Sequence, residues 1–177
     1  MEIKIRQEHP NEYETTEEII KRAFFNEEYS DKNEHVLVSK IRKSVAFIPE
    51  LSLVAINQSN DIVGHILLSE IKIVNDDNAV KSLALAPISV TPEYQNKGMG
   101  SQLIHAAIKK AKELGYQSVI VLGHKYYYPK FGFKPASLWN IHAPFEVPDE
   151  VFMALELTTN SLDKVHGVVH YSDAFLS

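Results

Sequence analysis

The sequence predicts an α/β domain built on a mixed, mostly antiparallel sheet. Three observations carry that prediction. The strand-like run LALAPISV leads through a glycine-bearing turn into an amphipathic helix and then a short apolar run, SVIVL, which together make a βαβ unit with parallel strands and a right-handed crossover. Two further apolar runs, LSLVAIN and IVGHILLSEIKIV, flank the polar turn QSND as an antiparallel hairpin. Terminal runs at VFMALEL and HGVVHY supply more strands. A chain of 177 residues suits one domain with a substantial core, so residues 1–177 are read as a single domain.

Taken in order, EIKIRQ alternates apolar and polar residues and reads as a half-buried strand from Glu2 to Gln7. TTEEIIKRAFF places Ile19, Ile20, Ala23 and Phe24 on one helical face, and Thr15 or Thr16 followed by Glu17 and Glu18 suits its N-terminus. EHVLVSKIRKS is a second helix with a weaker stripe of Leu37, Val38, Ile41 and Val45. After the hairpin, KSLALAPISV is nearly continuous in apolar character and is expected to be covered on both faces. SQLIHAAIKKAKEL carries Leu103, Ile104, Ala107, Ile108, Ala111 and Leu114 at helical spacing, so this helix packs on the sheet. Gly115 stands where a left-handed cap ends such a helix.

Composition excludes several functions. With 18 Lys+Arg against 23 Asp+Glu, the net charge of -5 disfavours a protein whose main work is holding nucleic acid or an anionic membrane. The chain has no cysteine, hence no disulfide, cysteine-zinc site or thiol nucleophile. No histidine pair has the surrounding ligands of a metal site. MEIKIRQEHP lacks the pattern of a secretory leader, and no apolar run approaches the roughly 20 residues that span a bilayer, so a cytoplasmic location is expected.

The pair Gly98 and Gly100 in YQNKGMGSQL needs a reason, because glycine in a helix costs about 1 kcal/mol relative to alanine. A strand feeding a glycine-bearing loop that becomes a helix exposes unpaired N–H groups at the positive end of the helix dipole, which is a socket for an anion. Glycine removes the Cβ that would block a diphosphate. The expected donors are the amides of Lys97, Gly98, Met99, Gly100 and Ser101, with Asn96 beside them. The loop lacks the GK[ST] ending of a Walker A motif and the third glycine of a dinucleotide fingerprint.

These residues resemble the GNAT superfamily of N-acetyltransferases, whose acyl-CoA signature Q/R-x-x-G-x-G/A is matched by Gln95, Gly98 and Gly100. The resemblance continues in LAPISVTPEYQNKGMG, which is similar to the family's fourth strand and pyrophosphate loop, and in YYPKFGF, which matches its Y-x-x-x-G-F. The runs LAPISV, VLGHKYYYPKFGF and PFEVPDEVFMALEL look like the YhbS-like branch. The resemblance implies the GNAT acyl-CoA N-acyltransferase fold, a twisted mixed sheet flanked by helices whose parallel fourth and fifth strands splay apart. It further implies acetyl-CoA as acyl donor, with the pantetheine arm bonding to Ile88, Ser89 and Val90 of the fourth strand, and acetyl transfer to an amine of a small molecule or protein. Homodimers are compatible with it.

Direct attack of a neutral amine on a thioester needs an acceptor for the amine proton, a donor to the oxyanion and a proton for the leaving thiolate. The resemblance puts Tyr128, four residues before Gly132, at the position of the family's tyrosine near the coenzyme A sulfur, and so implies a general acid; Tyr126 and Tyr127 are the adjacent alternatives. The fourth strand contains no carboxylate, so the base that many relatives keep there has no counterpart. A water chain ending at a carbonyl, His124, Glu70 or His65 is the remaining route, with His124 the first choice because it closely follows the fifth strand and histidine is the usual side-chain proton acceptor. Lys97 and Lys130 are candidate contacts of the cofactor phosphates. The acceptor pocket is expected from NEEYSDKNEH and VNDDNAV, with PFEVPDEVF closing one side. The missing carboxylate also keeps a non-catalytic acyl-CoA sensor, or an interaction module on the same fold, as the alternative.

Overall fold

The computed structural model describes residues 2–28 and 30–175. The chain falls into two compact units, one made of Met1–Leu68 and Ala86–Lys110, the other of Ser69–Leu85 and Ala111–Ser177. Strands β3 (Ile62–Val74) and β4 (Ala79–Val90) and helix α3 (Met99–Glu113) each contribute to both.

In the first unit, β1 (Lys4–Gln7) runs antiparallel to β2 (Ser52–Ile56), and β2 runs antiparallel to β3 with Leu53 opposite Ile66. This is the hairpin expected around QSND. Helix α1 (Tyr13–Phe24) lays Ile19 on Val54, Ile56 and Ile62, and α2 (Glu34–Arg42) buries Val38 and Ile41. Helix α1 starts two residues before Thr15, and Thr16 is buried within it rather than capping it. The start is set by a knot upstream, where the Glu12 carboxylate accepts from the His9 N–H at 2.8 Å and from both arms of the Arg6 guanidinium at 2.9 and 2.7 Å. Hydrogen bonding to Arg6 is the main reason the Glu12 carboxyl is lowered to about 2. Val45 lies past the end of α2 and is fully exposed, so the stripe of that helix stops at Ile41.

In the second unit, β4 pairs in parallel with β5 (Ser118–Leu122), Leu83 opposite Val119 and Ala84 opposite Ile120, as a βαβ unit requires. Strand β8 (Phe152–Glu156) lies antiparallel to β5 and also carries the short β6 (Lys134–Pro135). Strand β9 (Gly167–His170) pairs with Lys72–Val74 of β3 and in parallel with β7 (Ile141–His142). The strand order is β1-β2-β3-β4-β5-β8-β6. Ile71, Ile73, Ala84, Ile120, Phe152 and Ala154 form the core of this unit. The two-residue strands β6 and β7 are too short to leave a periodic signal.

Along α3, Leu103, Ile104, Ala107 and Ala111 are buried as the spacing predicts, while Leu114 lies beyond the last turn at 36% exposure. Gly115 adopts φ +90° and donates to the Lys112 carbonyl, and the Tyr116 N–H reaches back to Ala111, which is the left-handed cap. Strand β4 is buried from Ser82 to Leu85 but alternates buried and half-buried residues from Ala86 to Val90, so its second half is covered on one face only.

Candidate active site

One candidate element, in the first unit, grows from the end of β4. The Thr91 N–H donates to the Val63 carbonyl at 3.0 Å, and the Ser89 carbonyl lies so close to Gly64 that a Cβ there would stand 3.2 Å from it. Ser89 therefore turns its carbonyl toward β3. Main-chain groups alternate sides along a strand, so those of Ile88 and Val90 face away from β3. After the turn Pro92–Tyr94, the Gln95 side chain reaches back and donates from Nε2 to the Val90 carbonyl at 2.9 Å. That bond ties the loop to the strand.

The loop then takes two left-handed steps, Asn96 at φ +62° and Gly98 at φ +81°. Asparagine and glycine are the residues that tolerate this region. A Cβ on Gly98 would meet nothing within 4 Å, so the space over its Cα is open. Met99 is buried and anchors the first turn of α3. The helical ladder opens with the Gln102 N–H donating to the Gly98 carbonyl at 3.2 Å, which places the amides of Met99, Gly100 and Ser101 ahead of it, without intrahelical acceptors. Gly98 is thus demanded by its dihedral, whereas Gly100 is already helical. Gln95, Asn96, Lys97 and Gly98 are exposed, and the Lys97 ammonium lies 5.7 Å from the Tyr94 ring centre.

A second candidate element, in the second unit, follows β5. Of the three consecutive tyrosines, Tyr126 is 74% exposed and Tyr127 half-buried, whereas Tyr128 is 8% exposed. Tyr128 opens the single 3-10 turn Tyr128–Phe131, and its ring meets Tyr127 edge-on at 5.1 Å and Phe133 at 5.7 Å. Burial, helped by the Tyr127 hydroxyl, pushes the Tyr128 phenol up from 10.0 to about 12. Gly123, just after β5, explains the position of the ring. A Cβ there would lie 2.3 Å from Tyr128 Cε2, so the aromatic ring rests on bare backbone. This residue was missed from sequence, although a glycine between a strand and an aromatic cluster is the kind of signal that reveals such a contact. Gly123→Ala is expected to displace the ring and destabilise the fold by about 1–3 kcal/mol, read by urea unfolding; unchanged stability would mean that the ring is not seated there.

His124 is exposed, and its Nδ1 accepts from the Tyr126 N–H at 3.3 Å, leaving Nε2 available. Lys130 holds its ammonium 4.3 Å from the Tyr127 ring centre, a cation–π contact on an exposed surface. The other two candidate bases are committed elsewhere. Glu70 accepts from the Tyr116 hydroxyl at 3.0 Å and lies 3.7 Å from the Lys81 ammonium. His65 is fully buried and bonded to the Ser52 hydroxyl at 3.0 Å, and burial lowers it to about 3, so it takes up a proton poorly at neutral pH. The Ser52 proton goes to Glu8 at 2.7 Å, which assigns the proton of His65 to Nε2.

The loops expected to receive an acceptor are distributed differently. Tyr29 in NEEYSDKNEH lies outside the described residues. VNDDNAV forms the turn that joins β3 to β4, at the opposite end of β4 from Val90, with Asn75 Nδ2 bonded to the His166 carbonyl. Phe145–Asp149 and Phe152 of PFEVPDEVF line a groove of about 610 Å³. Among the described residues no group of three metal-ligating side chains is found.

Residues 11–133 match the model of the acetyltransferase (GNAT) family, and the chain belongs to that family. It is similar to YjhQ of Escherichia coli K12, an uncharacterized N-acetyltransferase, with 37% identity over 115 residues, or 64% of this chain and 63% of that protein. The chain thus spans less than two thirds of this relative's length. YhbS of the same strain, also an uncharacterized N-acetyltransferase, is 26% identical over 71% of this chain and 74% of its own. Among solved structures, the fold is shared with Escherichia coli YhbS in complex with CoA, with a TM-score of 0.88 and 23% identity over 99% of this chain and 92% of that one. A GNAT family acetyltransferase from Brucella melitensis in complex with acetyl-CoA superposes with a TM-score of 0.80 and 28% identity, covering 98% of both chains.

Proposed function

We propose that the chain is an acetyl-CoA-dependent N-acetyltransferase, working as one catalytic domain, that transfers an acetyl group directly to an amine of a small molecule or protein. The observation that carries this reading is the exposed loop Gln95–Gly98, with its left-handed Gly98 under open space and the unpaired amides of Met99, Gly100 and Ser101 behind it. These amides, with Lys97 and Asn96, would hold the diphosphate, and Gln95 keeps the loop fixed on Val90. Ile88 and Val90 would bond the pantetheine arm, with Ser89 between them holding the strand on β3. The complexes of the YhbS and Brucella relatives with CoA and acetyl-CoA support the donor.

The amine nitrogen attacks the thioester carbonyl carbon, the C–S bond breaks, and coenzyme A leaves as a thiolate that takes the proton of Tyr128. His124, through its free Nε2 and water, would take the proton that the amine gives up. Raised to about 12, the Tyr128 phenol stays protonated at every working pH but holds its proton more tightly than a thiol does, so it acts first by donating a hydrogen bond as charge develops on sulfur, and completing the transfer to the thiolate is uphill. Lys130, whose ammonium lies over the Tyr127 ring, is the further candidate for a cofactor phosphate. The cytoplasm, where acetyl-CoA is at hand, is the compartment this reading implies.

Acetyl-CoA at 100 times its dissociation constant should stabilise the fold by about 2.7 kcal/mol in thermal unfolding, and free coenzyme A should be released against a panel of amines. Absence of stabilisation would remove the donor. Stabilisation without release from any amine would favour a sensor, the reading supported by the absence of a carboxylate along Ala79–Val90.

A further inference from the structure

The groove of about 610 Å³ in the second unit falls in the size range of small-molecule sites. Its lining is largely apolar, with buried Ile141 and Phe152 and exposed Phe145 and Pro148, and it carries His142 and the exposed carboxylates of Glu146 and Asp149, with no lysine or arginine. The third carboxylate of the segment, Glu150, is taken by Lys125 at 3.1 Å. Glu146 and Asp149 have no cationic partner among the described residues. Phe145 stacks on Tyr171 at 6.2 Å and 16°, and Pro144 and Pro148 restrict the backbone around it, so the wall is stiff although Phe145 is 47% exposed.

Gly123 links this groove to the proposed acid. Its N–H donates to the Val151 carbonyl at 2.9 Å, Leu122 before it pairs with Phe152, and its bare Cα carries the Tyr128 ring. Phe152 in the groove lining thus pairs with the residue next to the glycine that seats the Tyr128 ring.

From this juxtaposition we infer that the groove binds the acyl acceptor, and that the acceptor is an amine with an apolar body and a second cationic nitrogen. The inference rests on the acetyl-transfer reading. Charge complementarity selects the second nitrogen: an ammonium held by Glu146 and Asp149 keeps its proton and has no lone pair to attack with, so the nucleophile must be a different, neutral nitrogen of the same molecule. The apolar body would lie on Phe152 and Ile141, with Phe145 offering its face to the cation.

The test uses p-xylylenediamine, an aromatic diamine, and 4-methylbenzylamine, its near-isostere with one nitrogen, titrated separately into the whole protein by calorimetry. The diamine should bind at least tenfold more tightly, the double variant E146Q/D149N should abolish that preference, and acetyl-CoA affinity should be unchanged in the variant. Equal binding of the two amines, or a preference that survives E146Q/D149N, overturns the inference. Coenzyme A release measured in the same samples separates the two levels. A carboxylate-dependent preference without release leaves the groove standing and counts against transfer to this amine, whereas release without any preference leaves transfer standing and sinks the groove.

Discussion

Tyr128→Phe is expected to slow coenzyme A release by about 100-fold or more while leaving acetyl-CoA affinity unchanged. The substitution keeps the ring that packs on Tyr127, Phe133 and Gly123 and removes only the hydroxyl proposed as the proton donor. The pH profile gives an independent check. Because Tyr128 is raised to about 12, its loss of a proton should not limit the rate below pH 11. The sign for stability agrees: a folded-state value above the unfolded 10.0 leaves its contribution whole below about pH 10 and removes it as pH rises toward 12. An unaltered rate in Tyr128→Phe, or an alkaline limb near pH 9 that the variant abolishes, would contradict the assignment or its environment.

The second large effect is structural. Arg42, 5% exposed, donates to Glu8 at 2.6 Å and to Glu17 at 2.6 Å and stacks 4.1 Å above the Tyr13 ring, so that one guanidinium joins the segment after β1 to α1 and α2. The Glu8 side chain is fully buried, and its other oxygen is held by Ser52. Arg42→Met should cost about 3–5 kcal/mol, because it leaves a buried carboxylate without a counter-charge. Arg42→Met combined with Glu8→Gln should recover part of that loss. Urea unfolding measures both, and a loss below about 1 kcal/mol in the single variant would mean that Glu8 is solvated or protonated in the fold.

What the sequence made legible is what local periodicity and backbone chemistry encode. The α3 stripe, the Gly115 cap, the β2–β3 hairpin and the parallel β4–β5 pairing all follow from residues close in the chain. The loop from Gln95 to Ser101 was legible for the same reason, since one strand end and one helix start define it. Long-range burial was not. Arg42 sits at the polar end of a short helix, and nothing in its neighbours along the chain announces that Glu8, 34 residues earlier, is buried against it. Burial alone separates Tyr128 from Tyr127 and Tyr126, and the Gly123 contact that seats its ring becomes visible only once the turn has folded. The misplaced start of α1 has the same cause, because Arg6 and His9 fix Glu12 from outside the helix.

The proposed grip of the loop on the diphosphate is tested most directly by comparing acetyl-CoA with S-acetylpantetheine, which lacks the diphosphate, in calorimetric titrations of the native chain and of Gly100→Val. Two charge-assisted bonds from the helix N-terminus predict that acetyl-CoA binds the native chain about 100-fold more tightly, roughly 2.7 kcal/mol, and that Gly100→Val erases most of this difference. Equal affinity for the two donors, or an undiminished difference in the variant, would contradict it.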